Sequence, residues 1–430
     1  MFCQLEVLRH CFPSSVRQIL EELPESLDET YERILKEIRK PKQGHAHRLL
    51  QCLVAAVRPL RVEELAEILA FDFKAEGIPK LNLGWRWENQ EAVMSACSSL
   101  VIIVKDGDSR IVQFSHFSVK EFLTARWLAE PVRDVSRYHI RLEAAHTILA
   151  QACLGVLLRL DDRVDRDNIK DFPLALYAAQ YWPTHARFEN ASLRIKDGIK
   201  CLLDADKPHY ATWIWIYDES SGRSMSTMFP EEPEVVPLYY AARFEFRDLA
   251  EHLIVEHPEH VNARVRGVGI LSRIVGKAGS AEILSLLLEH GADVEDQGVA
   301  RTPLIRASVY GNVEAGQCLL DHGADINARD NLGQTPLFSA VLFGYVEFAR
   351  MLLISERGAI INDFQNNIGY TPLHLAVYKR STQTVRLLLE HGADVNARNI
   401  SGDTPFQLGS RYDYEEIVEL LSEYGAESGE

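Results

Sequence analysis

Positive charge is scarce in this chain. Its 46 lysines and arginines stand against 62 aspartates and glutamates, for a net charge of −16 over 430 residues. Nucleic-acid binding needs a dense basic patch to displace counterions from phosphate, and no segment offers one, so nucleic acid is not expected as the partner. Long apolar runs are missing too. The longest uncharged stretch of note, residues 49–57, falls far short of the roughly 18 residues that a membrane helix needs, and the amino terminus lacks the basic-then-apolar order of a signal peptide. No membrane contact is expected. The cysteines (Cys3, Cys11, Cys52, Cys97, Cys153, Cys201, Cys318) are odd in number, scattered, and never in a CxxC pair. That usage points to reduced structural thiols and a cytoplasmic setting. A phosphate cradle is absent as well. GxxxxGK followed by Ser or Thr wraps phosphates, meets their charge with lysine and holds magnesium with the hydroxyl. The nearest imitation, LSRIVGKA at 271–278, has Leu at the first glycine and Ala at the hydroxyl residue. No nucleotide and no other cofactor are expected.

What the chain has is apolar content, 47% of residues, enough for cores in two or three structural units. It also repeats itself. LLEHGAD at 287–293 returns as LLDHGAD at 319–325 and LLEHGADVNAR at 388–398, with worn copies LLISERGAI at 352–360 and LLSEYGAE at 420–427. TPL at 302–304 and 335–337, TPLHLA at 371–376 and TPF at 404–406 keep step, with prolines 33, 36 and 33 residues apart. Thr371 suits an N-cap and Pro372 the first helical position, where its missing N–H costs nothing. Leu373, Leu375 and Ala376 give that helix an apolar face. A second helix over 384–391 carries Val385, Leu387, Leu388 and Leu389, and Gly392 ends it in a left-handed conformation. Asp394 and Asn396 turn the chain outward toward the next TP. This pattern resembles the ankyrin repeat, a turn and two antiparallel helices that stack on like neighbours. One such unit cannot bury its own leucine face, so stability must come from stacking.

The register continues upstream. LIVEHPEHVNAR at 253–264 aligns with LLLEHGADVNAR, with Pro258 at the glycine position, and PLYYAA at 237–242 fills the first-helix slot. The spacing predicts six repeats over 233–430, the first two degenerate, the second having lost its TP. The last helix, over 414–424, sets Glu415, Glu416, Glu419 and Glu423 around Ile417, Val418, Leu420 and Leu421. That loading suits a capping repeat, and equally a longer array cut short.

The first 130 residues differ. Ser26 through Glu29 make a capping-box pattern, followed by Leu27, Tyr31, Ile34, Leu35 and Ile38 at helical spacing. Helices over 46–57 and 61–70 follow, then a hairpin of 100–104 and 110–114 about a turn at 105–108. Three helices and a two-stranded wing predict a winged-helix fold. Ser118 is expected to cap a further helix carrying Phe122, Leu123 and Trp127. The stretches LPESLDETYERIL (23–35), AAVRPLRVEELAEILA (55–70) and FSHFSVKEFL (114–123) closely resemble the region after the nucleotide-binding core of fungal NACHT proteins, signal-transducing NTPases that commonly end in ankyrin repeats. LYAAQYWPTHARFE (176–189) and HYATWIWIYD (209–218) are similar to their spacer. The resemblance implies a winged-helix-like region at 1–130 after a missing NACHT core, a helical spacer at 131–232, and the repeats. It further implies a truncated relative, a separately encoded tail or an incomplete gene.

Other candidates weaken. His45, His47 and Cys52 lack a second ligand pair at zinc-like spacing, so a solvated helix start is expected. His374 fills the TPLH slot, where it is expected to bond backbone between repeats. His116 beside Ser118 lacks any nucleophile elbow. Arg61 lies among Glu63, Glu64 and Glu67, acids expected to repel DNA phosphate from the winged helix. The repeat surface remains. By analogy with the ankyrin family, the concave side is lined by the loop residues before each TP and the pair after each first helix. The loop residues are Arg301, Leu332, Gln334, Ile368, Tyr370 and Asp403. The helix-end pairs are Val309 with Tyr310, Leu342 with Phe343, Tyr378 with Lys379, and Arg411 with Tyr412. Tyr and Arg are favoured interface anchors. The expectation is a mostly α, non-enzymatic module that binds a protein partner. The competing expectation is the sensor portion of a NACHT ATPase or GTPase whose nucleotide domain lies upstream or in another chain.

Overall fold

The computed structural model describes residues 26–73, 78–82, 97, 99–107, 109–131, 134–165, 167–189, 191–220, 235–276, 281–298, 300–363 and 368–427. Cys3, Cys11, Asp108 of the expected turn, and Lys277 and Ala278 of the phosphate-loop imitation lie outside them. The chain divides into two compact units, Met1–Pro233 and Glu234–Glu430.

The first unit opens with α1, Leu27–Glu37, where Ser26 Oγ accepts from the Glu29 N–H at 3.2 Å and Tyr31 and Leu35 are buried. Helix α2, Lys40–Ala55, starts six residues before its expected position because Pro41 in the first turn needs no N–H partner. Strand β1, Leu60–Arg61, leads into α3, Val62–Leu69, and β2, Phe71–Asp72, pairs with β3, Lys80–Leu81. The wing is β4, Val101–Asp106, against β5, Ser109–Phe114. It has three strands, not two, in the order β1-β5-β4, with Leu60 opposite Val112. A two-residue strand leaves no periodicity to read.

Helix α4, Ser118–Thr124, corrects the expected role of Ser118, which is the first residue of the helix and not its cap. Phe117 holds the N-cap position without a side-chain bond, and His116 Nδ1 takes the Ser118 N–H at 3.3 Å. The Ser118 hydroxyl instead bridges His116 Nδ1 at 2.7 Å and the Tyr31 hydroxyl at 2.8 Å, tying α4 to α1. Trp127 sits beyond the helix in a 3-10 turn, Arg126–Ala129, edge-on to Phe122.

The first unit continues with α5, Leu142–Leu157, α6, Ala175–Ala186, the short α7, Ala191–Arg194, α8, Lys196–Leu202, and α9, Pro208–Ser220. Helix α5 is apolar nearly all round, as expected of a helix buried among others, and packs on α2 and α6. Gly155 is required there: a Cβ would stand 2.7 Å from the Phe71 ring. Trp182 and Trp213 meet edge to face at 5.8 Å, and Trp213 Nε1 donates to the Ala179 carbonyl.

The second unit contains six consecutive helix pairs among the described residues. They are α10, Pro237–Arg243, with α11, Arg247–Glu256; α12, Ile270–Ile274, with α13, Ala281–Glu289; α14, Pro303–Tyr310, with α15, Val313–Asp321; α16, Pro336–Phe343, with α17, Val346–Ile354; α18, Pro372–Tyr378, with α19, Thr382–Glu390; and α20, Pro405–Arg411, with α21, Glu415–Glu423. First helices stack on first helices and second on second, so each leucine face is closed by its neighbour. Leu284, Leu319, Leu352, Leu388 and Leu421 are buried in that seam. Each such side chain contributes about 1.5–3 kcal/mol by leaving water. The second pair keeps its helices although its TP is gone. A hairpin of β6, Arg264–Val265, and β7, Val268–Gly269, enters α12 through Arg266 and Gly267, both left-handed as a tight two-residue hairpin demands.

Candidate functional site

The TP motifs do what local chemistry requires. Thr302, Thr335, Thr371 and Thr404 each accept, through the side-chain hydroxyl, from the backbone N–H three residues on, and each is followed by the proline that opens the helix. Eight residues after each helix-opening proline the backbone turns left-handed, at Glu245, Gly311, Gly344, Arg380 and Asp413. In these five pairs the fixed distance from proline to exit sets the side chain just before the exit at one place along the stack.

That place is exposed in the last four pairs, whereas Phe244 fills it buried in the first. Tyr310, Phe343 and Tyr412 are 47%, 48% and 44% accessible, although the residues one turn earlier are buried. Lys379 fills the matching slot of the fifth pair and is exposed, with Tyr378 beside it at 49%. Val309 and Leu342 are half-buried, and Arg411 is exposed. Among the loop residues, Leu332 and Ile368 are open to solvent, while Arg301, Gln334, Tyr370 and Asp403 are half-buried. Two loop residues are already engaged within the unit. Arg301 Nε pairs with the buried Asp330 carboxylate at 3.2 Å, and the same carboxylate accepts the backbone N–H of Gln334 at 2.9 Å. These contacts fix the loop and leave Arg301 less free as an anchor than its residue type suggests.

At the carboxy-terminal end the side chains join into an aromatic chain. Tyr370 lies 6.2 Å from Tyr378, Tyr378 meets Tyr412 edge to face at 6.1 Å, and Tyr412 stacks on Tyr414 at 5.8 Å. The Arg380 guanidinium covers the Tyr414 ring at 5.4 Å. Arg411 grips Asp403 through two bonds of 3.0 and 2.6 Å, and this pairing holds the Asp403 carboxyl below its ordinary range. Burial, with Tyr412 and Asp403 adding to it, raises the Tyr370 phenol. The result is a partly apolar platform rimmed by charge. It holds no nucleophile paired with a base.

Sequence reasoning missed Tyr345, Tyr414 and Ile400. Tyr345 and Tyr414 occupy N-cap positions of second helices, where Asn312 and Ser381 cap in other pairs. A tyrosine at a cap slot forgoes about 1 kcal/mol of capping and was the available signal. Ile400, 75% exposed, is a bare isoleucine at a loop tip.

The remaining candidates resolve into structural roles. Thr371 donates its N–H to His374 Nδ1, so Nε2 carries the proton and donates to the Asp403 carbonyl of the next pair at 3.0 Å. Burial pushes the His374 pKa down and keeps the ring neutral. His45 and His47 lie two apart on α2, on different faces, with His45 exposed and Cys52 buried. Burial pushes the Cys52 and Cys97 thiols up to about 12, so neither is a reactive thiolate. The acids near Arg61 correct an expectation. Glu64 and Glu67 are 1% accessible. Glu64 binds Arg58 and the Arg61 N–H, and Glu67 accepts the Leu174 N–H at 2.8 Å. They fasten α3 inside the unit and do not flank a solvent-facing surface; the helix is buried on nearly every side.

Comparison with known proteins agrees with this architecture. The ankyrin-repeat family matches residues 271–365 and 358–429, and the winged helix domain of GPI inositol-deacylase matches residues 13–131. A Monascus ruber protein described as azaphilone pigments biosynthesis cluster protein L is 31% identical over 293 residues, 64% of this chain and 61% of that protein. Alpha-latrotoxin-Lg1a of Latrodectus geometricus is 28% identical over 203 residues, 45% of this chain but 15% of the toxin. The chain therefore spans less than two thirds of these relatives. A solved ankyrin repeat domain from Acinetobacter baumannii is 31% identical, covering 44% of this chain and 98% of that domain, with a TM-score of 0.40. The chain carries ankyrin repeats and a winged helix domain, and the repeats mark it as a protein-interaction module. Among the described residues no helix is long and apolar enough to cross a membrane.

Proposed function

We propose that this chain works as a non-enzymatic adaptor that holds a protein partner on the concave face of its repeats, with the winged helix as a regulatory arm in the manner of the NACHT proteins it resembles. The observation that carries the reading is the row Tyr310, Phe343, Tyr412, each nearly half exposed at the end of a helix whose apolar residues one turn earlier, Ala307, Ala340 and Leu408, are buried. Aromatic rings held open on a rigid scaffold are what interface anchors require. The loop residues Leu332, Ile368 and Ile400 add further exposed apolar side chains to the repeats. DNA is a poor alternative ligand, because α3 has no free face to enter a groove.

Affinity capture with the full chain tests the proposal. Phe343→Ala with Tyr412→Ala is expected to abolish retention of a protein that the wild type holds, each truncation costing about 1–3 kcal/mol of binding, while the melting temperature changes little. Retention unchanged alongside a large loss of stability would place both rings in the core and the partner on another face.

A further inference from the structure

The helix-ending histidine of the repeats behaves differently in the first pair. In the LLEHGAD-type repeats, His290, His322 and His391 turn Nδ1 back onto their own helix, 2.8–2.9 Å from the carbonyls of Leu286, Cys318 and Leu387. His257 holds the same slot, but the Gly-Ala-Asp that should follow is replaced by Pro258, Glu259 and His260. Pro258 opens a 3-10 turn, Pro258–Asn262, and a 3-10 turn brings residues three apart onto one side. His257 and His260 accordingly stack, ring centroids 4.9 Å apart and 23° from parallel, with the turn closed by the His260 N–H on the His257 carbonyl at 3.0 Å. Glu259 reaches between them. Its Oε1 lies 3.4 Å from His257 Nδ1 and 3.9 Å from His260 Nε2, and one ligand atom from each residue falls within 4.8 Å of the others.

We infer that His257, Glu259 and His260 form a binding site for a divalent transition-metal cation of the zinc class. Bond lengths of about 2.0–2.2 Å at a tetrahedral centre set neighbouring donor atoms about 3.4 Å apart, and two of the three separations are already at or close to that value. Two imidazoles with one carboxylate suit zinc, nickel or copper, whereas magnesium and calcium favour oxygen donors throughout. Water would complete the coordination, because His257 and Glu259 are half or more exposed. The site has a structural consequence two residues on. Asn262 donates to the Gly291 carbonyl at 2.9 Å and accepts from the Asp293 N–H at 2.8 Å, the bridge that binds the first repeat to the second. A cation that clips the 3-10 turn fixes the residue on which that bridge depends.

Calorimetric titration of the full chain with zinc chloride, and with magnesium chloride for comparison, tests the site. Zinc is expected to bind, and magnesium to produce no saturable heat. His257→Gln with His260→Gln should weaken zinc binding at least about tenfold, as should Glu259→Gln, while His45→Gln leaves it unchanged. His257 and Glu259 are exposed and His260 is half-buried, so the variants should fold, which circular dichroism checks. In hydrogen exchange, zinc should slow the Asp293 amide in the wild type and not in the double variant. Equal zinc affinity in the double variant, or no binding by the wild type up to about a millimolar, overturns the inference.

Discussion

Glu295 Oε1 accepts the Asp325 N–H at 2.7 Å, in the slot that asparagine fills at four other junctions. Asn262, Asn327, Asn362 and Asn396 each make two bonds to the following loop, donating to a glycine carbonyl and accepting an N–H two residues further on. A carboxylate can only accept. The junction between the second and third pairs therefore lacks the donor half of the bridge.

Burial raises the Glu295 pKa, outweighing the bond from Asp325. A raised carboxyl pKa means that the folded state binds the proton more tightly than the unfolded one. Stability is then lost as pH rises from the unfolded value near 4.5 through the folded value. Glu295→Gln keeps the acceptor, removes the charge and adds a donor toward Gly323. It is expected to raise stability at pH 7 by about 0.5–1.5 kcal/mol in urea denaturation, with a smaller gain at pH 4. A loss at pH 7 would contradict the role given to this slot.

Two glycines in equivalent turns should respond unequally to alanine. Gly344 has φ 79° and open space where a Cβ would go, so Gly344→Ala meets backbone strain alone, about 1–2 kcal/mol. Gly311, at φ 68°, would set its Cβ 2.3 Å from the Tyr345 ring, and Gly311→Ala should cost clearly more. Paired denaturation midpoints decide it; equal losses would show that the ring moves aside freely.

Leu388 is fully buried where α19 meets its neighbours. Leu388→Ala should cost about 2–5 kcal/mol through the cavity left behind and speed hydrogen exchange in the adjoining pairs. Exchange rates in residues 142–220 should stay as they were. Opening of both units together would refute their independence.

The first unit should be acid-sensitive through one partly buried relay. The Val57 N–H donates to the Tyr177 hydroxyl, which meets His185 Nε2 at 2.8 Å, and His185 Nδ1 meets His146 Nδ1 at 2.9 Å. Burial, with His146 adding to it at His185 and Lys120 at His146, pushes His185 down to about 3 and His146 to about 4. Both rings are thus neutral in the fold. Their contribution is complete above pH 6.5 and is lost as pH falls toward those values. For the fully buried His185 the loss is about 1.4 kcal/mol per pH unit below 6.5. Near-ultraviolet dichroism of Trp182 and Trp213 during urea titration at pH 7 and 5 reads it, and His185→Gln should flatten the dependence. An unchanged slope in that variant would assign the acid response elsewhere.

The sequence by itself determined whatever depends on neighbours a few residues away. Thr371 and Pro372 start a helix wherever they stand, the three- and four-residue steps from Val385 to Leu388 and Leu389 mark one buried stripe, and the 33-residue return of TP and HGAD announces stacking. Tertiary structure alone decided the fate of side chains whose partners lie a repeat away or in another element. Glu67 looks like a solvated acid in sequence and is buried against Leu174; Ser118 looks like a cap and instead joins His116 to Tyr31. Asn327 and Glu295 hold the same slot, and only the loop stacked above each reveals that one makes two bonds and the other one. Caps and apolar stripes are set by local geometry along one helix. Hydrogen-bond donors find their acceptors only once packing has brought distant backbone within about 3 Å, a distance no spacing along the chain encodes.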